Sequence, residues 1–97
     1  METKTIHVKL FITGHTSRSM AAIFNIRKIC EAEFGNTYKL DIIDVLEHPE
    51  IAEQEKIIAT PTLIKSLPPP LRRLIGDLSE REKVLQHLEI ITGDYKN

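Results

Sequence analysis

The residues with the most unusual chemistry in this sequence are prolines. Four peptide bonds within one short stretch precede a proline: the bond from Thr60 to Pro61, and the three bonds that lead into Pro68, Pro69 and Pro70. An X-Pro bond has a cis/trans gap of only ~0.5–1 kcal/mol and exchanges over tens to hundreds of seconds. Because the neighbouring segments have ambiguous secondary structure, this cluster suits a chain that exchanges slowly between two packings. The alternative interpretation of the proline triplet is a rigid surface turn.

Charge is separated along the chain although the totals nearly cancel. Thirteen Lys and Arg residues stand against fourteen Asp and Glu residues, a net charge of −1, which argues against a general nucleic-acid binder. Residues 47–56 carry four glutamates and one lysine, whereas residues 65–73 carry three basic residues and no acid. Arginine pairs with carboxylates through two hydrogen bonds. We therefore predict that an acidic partner surface, or a neighbouring copy of the chain, is contacted by Lys56, Lys65, Arg72 and Arg73. The ordinary alternative is a solvated surface with scattered basic residues.

Neither the cysteine nor the histidines predict catalysis or a metal site. Cys30 is the sole cysteine, so an intramolecular disulfide and a cysteine-rich zinc site are excluded. Its position on an apolar helical stripe predicts an inert core thiol. The four histidines lack the spacing of metal ligands, and the sequence contains no glycine-rich phosphate loop. We therefore predict a protein without enzyme activity, metal or cofactor.

Length and hydropathy predict one small domain over residues 1–97, with 41% apolar residues to form its core. No apolar run approaches the roughly 20 residues that span a bilayer. The first residues lead into a strand-like pattern without a signal-peptide core. The expected location is cytoplasmic, with neither a membrane nor nucleic acid as a partner.

The hydrophobic pattern of the first half predicts a βαβ unit. Apolar residues alternate over residues 6–12, as in a strand, and Phe11 on the second face predicts that both faces are covered. Thr16 or Ser17 can cap an amphipathic helix that runs to Phe34. A second strand over residues 38–43 would pair in parallel with the first.

The second half of the chain is less regular. Pro49 and nearby glutamates favour a short helix that ends near Ile57, and residues 62–66 are prone to form a strand. Residues 71–75 fit either a short strand or one helical turn. A capping box with Ser79 as the N-cap introduces a last helix. The resulting α/β order is β-α-β-α-β-β-α.

This order is similar to that of thioredoxin-like proteins, which carry a cis-proline before the third strand, where Pro61 lies here. Redox-active members have Cys-x-x-Cys after the first strand, whereas this chain has Gly14-His15-Thr16-Ser17. No thiolate is therefore available there to attack a disulfide. The alternative function is a thioredoxin-like protein without redox cysteines that acts as a structural or chaperone-like module.

Several stretches together point to a more specific relationship. They are Ile43-Asp44-Val45-Leu46, Ala59-Thr60-Pro61-Thr62-Leu63, Leu67-Pro68-Pro69-Pro70, Arg72-Arg73 and Ile75-Gly76-Asp77-Leu78-Ser79. A proline triplet followed by paired arginines and a capped helix is a specific combination. Through these stretches the chain resembles the KaiB family of bacterial circadian clock proteins, from about Val8 to Leu88.

The resemblance implies a non-catalytic regulator that binds a KaiC-type ATPase ring and, in the clock, helps to sequester KaiA while competing with a sensor histidine kinase for KaiC. It also implies two folds. The resting form is a homo-oligomer (a dimer or tetramer) with the order β-α-β-β-α-α-β, and the KaiC-binding form is thioredoxin-like. The residues that we assign to this switch are Thr60, Pro61, Pro68, Pro69, Pro70, Gly76, Asp77, His87 and Glu89.

Departures from the family pattern bear on the balance of this switch. In the last helix, His87 and Glu89 stand where the family usually has a glycine and an aspartate. Glycine costs a helix interior ~1 kcal/mol relative to alanine, and glutamate is a better helix former than aspartate. We therefore predict a bias towards the thioredoxin-like form, with residues 80–91 helical. The departures also favour a homologue from a related stress-signalling system that pairs with a KaiC-like ATPase.

Overall fold

The computed structural model describes residues 5–88, which form one four-stranded sheet with helices on both faces. The elements are β1 (Ile6–Ile12), α1 (Ser17–Phe34), β2 (Tyr38–Asp44), α2 (Pro49–Gln54), β3 (Thr62–Leu67), β4 (Arg72–Ile75) and α3 (Arg81–Leu88). This order confirms the predicted β-α-β-α-β-β-α arrangement, and residues 72–75 of the ambiguous segment form a strand. Within residues 5–88, no helix is long and apolar enough to cross a membrane.

The sheet has the strand order β2-β1-β3-β4. The first two strands are parallel, with the register running from Ile6 opposite Tyr38 to Ile12 opposite Asp44. This pairing follows from the βαβ unit, because α1 carries the chain back to the starting end of the sheet. Strand β3 is antiparallel to both β1 and β4. Strands β2 and β4 are consequently the two edges of the described sheet.

Helices α1 and α3 cover one face of the sheet and enclose the main core. Because side chains alternate along β1, every second one points to this face. The helices pack apolar residues, spaced one turn apart, against them. Each fully buried aliphatic side chain contributes about 1.5–3 kcal/mol relative to its exposure. The buried core residues of β1, α1 and α3 are Ile6, Val8, Leu10, Ile12, Ala22, Ile26, Ile29, Cys30, Val84 and Leu88.

The end of α2, a helix of six residues, lies over part of the second face of the sheet. Phe11 on this face is 0% exposed, which confirms that both faces of β1 are covered. Lys9 shares the face with Phe11, and its Nζ lies 3.3 Å from Oε2 of Glu55, the C-cap residue of α2. Ile64, opposite Lys9 in β3, is also buried. The Lys9–Glu55 ion pair therefore holds the end of α2 over the sheet.

The capping residues of α1 are those that the sequence indicates. The side chain of Thr16 accepts a hydrogen bond from the Ser19 backbone N–H at 3.1 Å, so Thr16 is the N-cap and the helix begins at Ser17. At the other end, Gly35 has a φ of 61°, a left-handed conformation that glycine adopts without steric cost.

Two helix boundaries differ from the prediction. Helix α2 ends at Gln54, three residues before Ile57, because Lys56 has a left-handed backbone conformation. Helix α3 begins at Arg81, because the Val84 N–H donates to the Glu80 carbonyl and makes Glu80 the half-helical flanking residue. The start is thus one residue later than a Ser79 N-cap predicts.

Candidate partner-binding surface

Two of the four predicted basic residues, Lys56 and Arg73, meet where the end of α2 lies beside β4, and Arg72 is next to Arg73 in that strand. The Arg73 side chain crosses to α2, where Nη2 donates to the Glu55 carbonyl and Nη1 donates to the Lys56 carbonyl at 3.4 Å. Arg72 is the adjacent strand residue, and its side chain is directed to the opposite face of the sheet. All three basic side chains are exposed. We refer to Lys56, Arg72 and Arg73 as the basic corner.

The end of α2 places Lys56 at this corner through an unusual backbone conformation. Lys56 has a φ of 57°, and its N–H donates to the Glu53 carbonyl at 3.1 Å. The N–H of Ile57 donates to the Ala52 carbonyl at 2.9 Å. These two bonds form a Schellman motif, which usually has glycine at the left-handed position. The lysine there ends α2 early and turns its own side chain towards solvent.

Replacing Lys56 by glycine is expected to stabilise the fold. A side chain in the left-handed region costs roughly 1–2 kcal/mol, part of which is offset by the greater backbone entropy of glycine when unfolded. We expect the free energy of unfolding, measured by urea denaturation, to rise by about 0.5–1 kcal/mol. Lys56→Ala is the matched control, because it removes the same charge and keeps a Cβ. An equal gain in both variants would assign the effect to charge and contradict this account.

Lys65 does not lie at the basic corner, which corrects its expected surface position. It is 1% exposed and lies in β3. Leu63, two residues earlier on the same strand, belongs to the core under α1 and α3, so Lys65 is directed to that face as well. In this form its ammonium group is not available to a partner. The strand alternation contains this information, but lysine is so rarely buried that its type alone predicts a surface residue.

The loop after β1, where redox-active thioredoxin-like proteins carry their thiols, is held to its neighbours by hydroxyl and backbone amide groups. The Oγ1 atoms of Thr13 and Thr60 are 2.6 Å apart, which joins the loop before β3 to the end of β1. The Asp44 carboxylate accepts hydrogen bonds from the backbone N–H groups of Gly14 and Leu46, each at 3.0 Å. These bonds, that of Gly14 first, hold the pKa of Asp44 below its ordinary value. The groups fix the loops to one another and form no nucleophile–base pair.

The prolines assigned to the switch lie at both ends of β3. The Thr60–Pro61, Leu67–Pro68 and Pro69–Pro70 bonds are cis. Pro61 is buried, and its carbonyl accepts a hydrogen bond from the Gly76 N–H at 3.0 Å. Pro69 and Pro70 are exposed in the loop between β3 and β4. The structure therefore separates Thr60 and Pro61 from the proline triplet by the length of one strand.

The other residues assigned to the switch lie after β4. Gly76 has a φ of 134°, a conformation that requires glycine. The Asp77 carboxylate accepts a hydrogen bond from the Ser79 N–H at 3.1 Å, and the hydroxyl and N–H of Ser79 lower the pKa of Asp77. The Asp77 carbonyl accepts a bond of 2.9 Å from Asn25 of α1. His87 lies on α3, whereas Glu89 lies outside the described residues.

Cys30 is fully buried on α1, the position that its apolar helical stripe predicts. Burial, with a smaller contribution from the charge of Glu31, raises the pKa of the Cys30 thiol to about 12. The folded protein therefore keeps the thiol protonated and unreactive at neutral pH.

This raised pKa predicts a loss of stability at alkaline pH. The unfolded chain releases the thiol proton above about pH 9, whereas the folded chain retains it to about pH 12. Stability consequently falls as the pH rises between these values, by about 1.4 kcal/mol at pH 10 relative to pH 8. Urea denaturation at both pH values should show this fall in the wild type beyond any fall in Cys30→Ala. Equal falls in the two proteins would show that the thiol is not responsible.

Comparisons with known proteins assign the chain to a family. The KaiB domain family matches residues 9–90. The circadian clock protein KaiB3 of Synechocystis is 55% identical over 91 residues, which cover 94% of this chain and 89% of that protein. The circadian clock oscillator protein KaiB of Prochlorococcus marinus is 54% identical over 88 residues, 91% of this chain and 82% of that protein.

Solved structures support the fold at lower sequence identity. The N-terminal domain of SasA from Synechococcus elongatus superposes with a TM-score of 0.74 at 23% identity, covering 98% of this chain and 93% of that domain. Mitochondrial thioredoxin 3 from Saccharomyces cerevisiae gives 0.68 at 21% identity, covering 87% and 79% of the two chains. The fold is therefore thioredoxin-like, as predicted, and the sequence matches show that the chain belongs to the KaiB family of circadian clock proteins.

Proposed function

We propose that this chain is a non-catalytic regulator that binds a KaiC-type ATPase ring in its thioredoxin-like form. The observation that carries the proposal is the basic corner. Lys56 follows α2 and Arg73 lies in β4, and the contacts of Arg73 with the carbonyls of Glu55 and Lys56 hold these two segments together at the surface, with the exposed Arg72 beside them. A fixed cluster of exposed cations attracts an acidic surface without first having to be ordered. Family membership supplies the class of partner.

The site chemistry supports binding as opposed to catalysis. The loop at the carboxyl end of β1 carries Thr13 and Thr16, and the hydroxyl groups of Thr13 and Thr60 bond to each other. Thr16 is engaged as the helix cap. The sole thiol lies in the core with a strongly raised pKa. The hydroxyl groups of this loop are thus occupied in structural hydrogen bonds, and the thiol is buried.

We also propose that this form exchanges with a second, oligomeric packing of the C-terminal half. The support comes from strained backbone in that half. Lys56 and Leu78 both have left-handed conformations, with φ values of 57° and 64°. Each left-handed conformation costs of order 1–3 kcal/mol. This cost reduces the free-energy difference between the present fold and any packing in which these residues have an unstrained backbone. KaiA or a sensor kinase would then act on the population of the binding form.

Size-exclusion chromatography with light scattering tests this function. The chain is run alone, with a KaiC-type ring in ATP, and with the same ring in ADP. We expect co-elution with the ring that depends on the nucleotide, and concentration-dependent assembly of the chain alone. Absence of co-elution in every nucleotide state would contradict the proposal and favour a structural module without a Kai partner.

A further inference from the structure

The outer edge of β4 offers unpaired backbone groups among the described residues. The N–H of Gly76 donates to the Pro61 carbonyl at 3.0 Å, which fixes the phase of hydrogen bonding between β3 and β4. In an antiparallel pair, hydrogen-bonded residues alternate with residues that turn their N–H and C=O groups outward. The register pairs Ile75 with Thr62 and Arg73 with Ile64. Arg73 and Ile75 therefore direct their backbone N–H and C=O groups away from β3.

The side chains along this edge form a distinct pattern. Arg73 and Ile75 lie on the face of the sheet that α2 partly covers, and Leu71 immediately precedes the strand. Ile75 is 56% exposed and Leu71 is 55% exposed, with the exposed Arg73 between them. Alternate residues of an incoming strand would meet these three side chains in turn. Such a strand would match them with the pattern apolar, acidic, apolar at every second position.

The charge of the edge argues against a second copy of the chain as the occupant. Each β4 strand carries Arg72 and Arg73, so two copies paired edge to edge would bring four arginines together. Like charges on paired strands are destabilising, and basic residues on edge strands commonly prevent self-pairing. An acidic segment would replace this charge repulsion with attraction, because each carboxylate neutralises an arginine.

We propose that the edge of β4 accepts an extended acidic segment of a partner protein as a fifth strand. Backbone hydrogen bonds to Arg73 and Ile75 would supply affinity, and the side chains of Leu71, Arg73 and Ile75 would supply selectivity. The proposal rests on the proposed function only in treating the basic corner, of which Arg73 is a part, as the surface that faces a partner.

A short synthetic peptide with the matching side-chain pattern tests the proposal. The probe is acetylated and amidated Thr-Val-Thr-Glu-Thr-Val-Thr, titrated to about 1 mM, a range in which weak strand addition is detectable. In spectra of the ¹⁵N-labelled full chain, we expect the largest amide shifts at Arg73 and Ile75. The same peptide with lysine in place of glutamate should bind about tenfold more weakly.

Two variants at one position separate the backbone contact from the side chain. Ile75→Pro removes an N–H that points to the open edge and leaves the bonds between β3 and β4 intact, a placement that edge strands tolerate. Ile75→Val keeps the N–H and a β-branched side chain. We expect Ile75→Pro to weaken peptide binding about tenfold and Ile75→Val to leave it within about twofold. The β3–β4 amide contacts in the same spectra verify that both variants are folded.

The outcomes distinguish this proposal from the proposed function. Amide shifts centred away from β4, equal binding of the two peptides, or concentration-dependent shifts at β4 in the chain alone would overturn the strand addition. If the ring captures the wild type and Ile75→Pro equally well and the peptide does not bind, the strand addition is overturned but the proposed function is not. Peptide binding at β4 without any ring capture would support the strand addition and contradict the proposed function.

Discussion

Replacing Phe11 by alanine is expected to lower the free energy of unfolding by about 3–5 kcal/mol, the range typical of fully buried phenylalanines. Phe11 lies in β1, which β2 and β3 flank on its two sides, and it is 0% exposed on the face of the sheet that α2 partly covers. Because the flanking strands hold the backbone around Phe11 in place, the cavity can collapse only in part. A domain of this size has a total stability of about 5–15 kcal/mol, so the variant should remain partly folded but clearly weakened.

The chain offers a matched control for this prediction. Phe24, on the outer surface of α1, is 64% exposed, and its removal should change stability by no more than about 0.5 kcal/mol. Urea denaturation of both variants gives the comparison directly. Similar losses for Phe11→Ala and Phe24→Ala would show that α2 does not close a real core on this face. The prediction also bears on function, because α2 positions Lys56 at the basic corner.

Reversing two charges of the basic corner is expected to weaken ring binding by about 10- to 100-fold, or roughly 1.4–2.8 kcal/mol. The variant is Lys56→Glu with Arg72→Glu. Arg73 is left in place because its guanidinium holds the carbonyls at the end of α2, and its loss would disturb the fold. Acidic groups of the ring, which attract the wild-type cations, would repel the two introduced glutamates. Because salt screens the wild-type attraction, wild-type binding should also weaken with added salt more steeply than variant binding.

The control reverses an equal charge on the other side of the molecule. Arg27 and Lys28 are exposed neighbours on α1, and Arg27→Glu with Lys28→Glu changes the net charge by the same amount. Titration of each variant against an immobilised ring, with circular dichroism to verify the fold, completes the experiment. If both double variants lost the same affinity, net charge and not the basic corner would determine binding.

The elements of this fold were predictable wherever local pattern and burial agree. The alternation of β1, the covered face at Phe11 and the cap at Thr16 all follow from residue type and spacing. The end of α2 was not predictable, because left-handed turns are expected at glycine and here one occurs at Lys56. What determines it is the tertiary anchoring of α2, through the pairs Lys9–Glu55 and Arg73–Glu55.

The residue types of the candidate surface were predictable from the sequence, but the positions of these residues in the fold were not. Basic residues near a proline cluster indicated a contact region. Lys56 and Arg73 do meet at a corner, whereas the side chain of Arg72 is directed to the other face of β4. Lys65 is separated from the basic corner because its position in β3 faces inward. An apolar neighbour such as Leu63 is a better guide to that inward direction than the charge of Lys65 itself. The open edge at Arg73 and Ile75 depends on the hydrogen-bond phase between β3 and β4, which no local sequence pattern encodes.

A disulfide lock between β3 and β4 tests whether the thioredoxin-like form is the one that binds the ring. Thr62 and Ile75 are opposed across β3 and β4 in a non-hydrogen-bonded pair, where Cα atoms lie about 4.5 Å apart, within the range of a disulfide. Thr62→Cys with Ile75→Cys, in a Cys30→Ala background, would hold these strands in register when oxidised. We expect the oxidised chain to be captured by the ATP-loaded ring at least as tightly as the reduced chain. Loss of capture on oxidation, with recovery after reduction, would contradict the account.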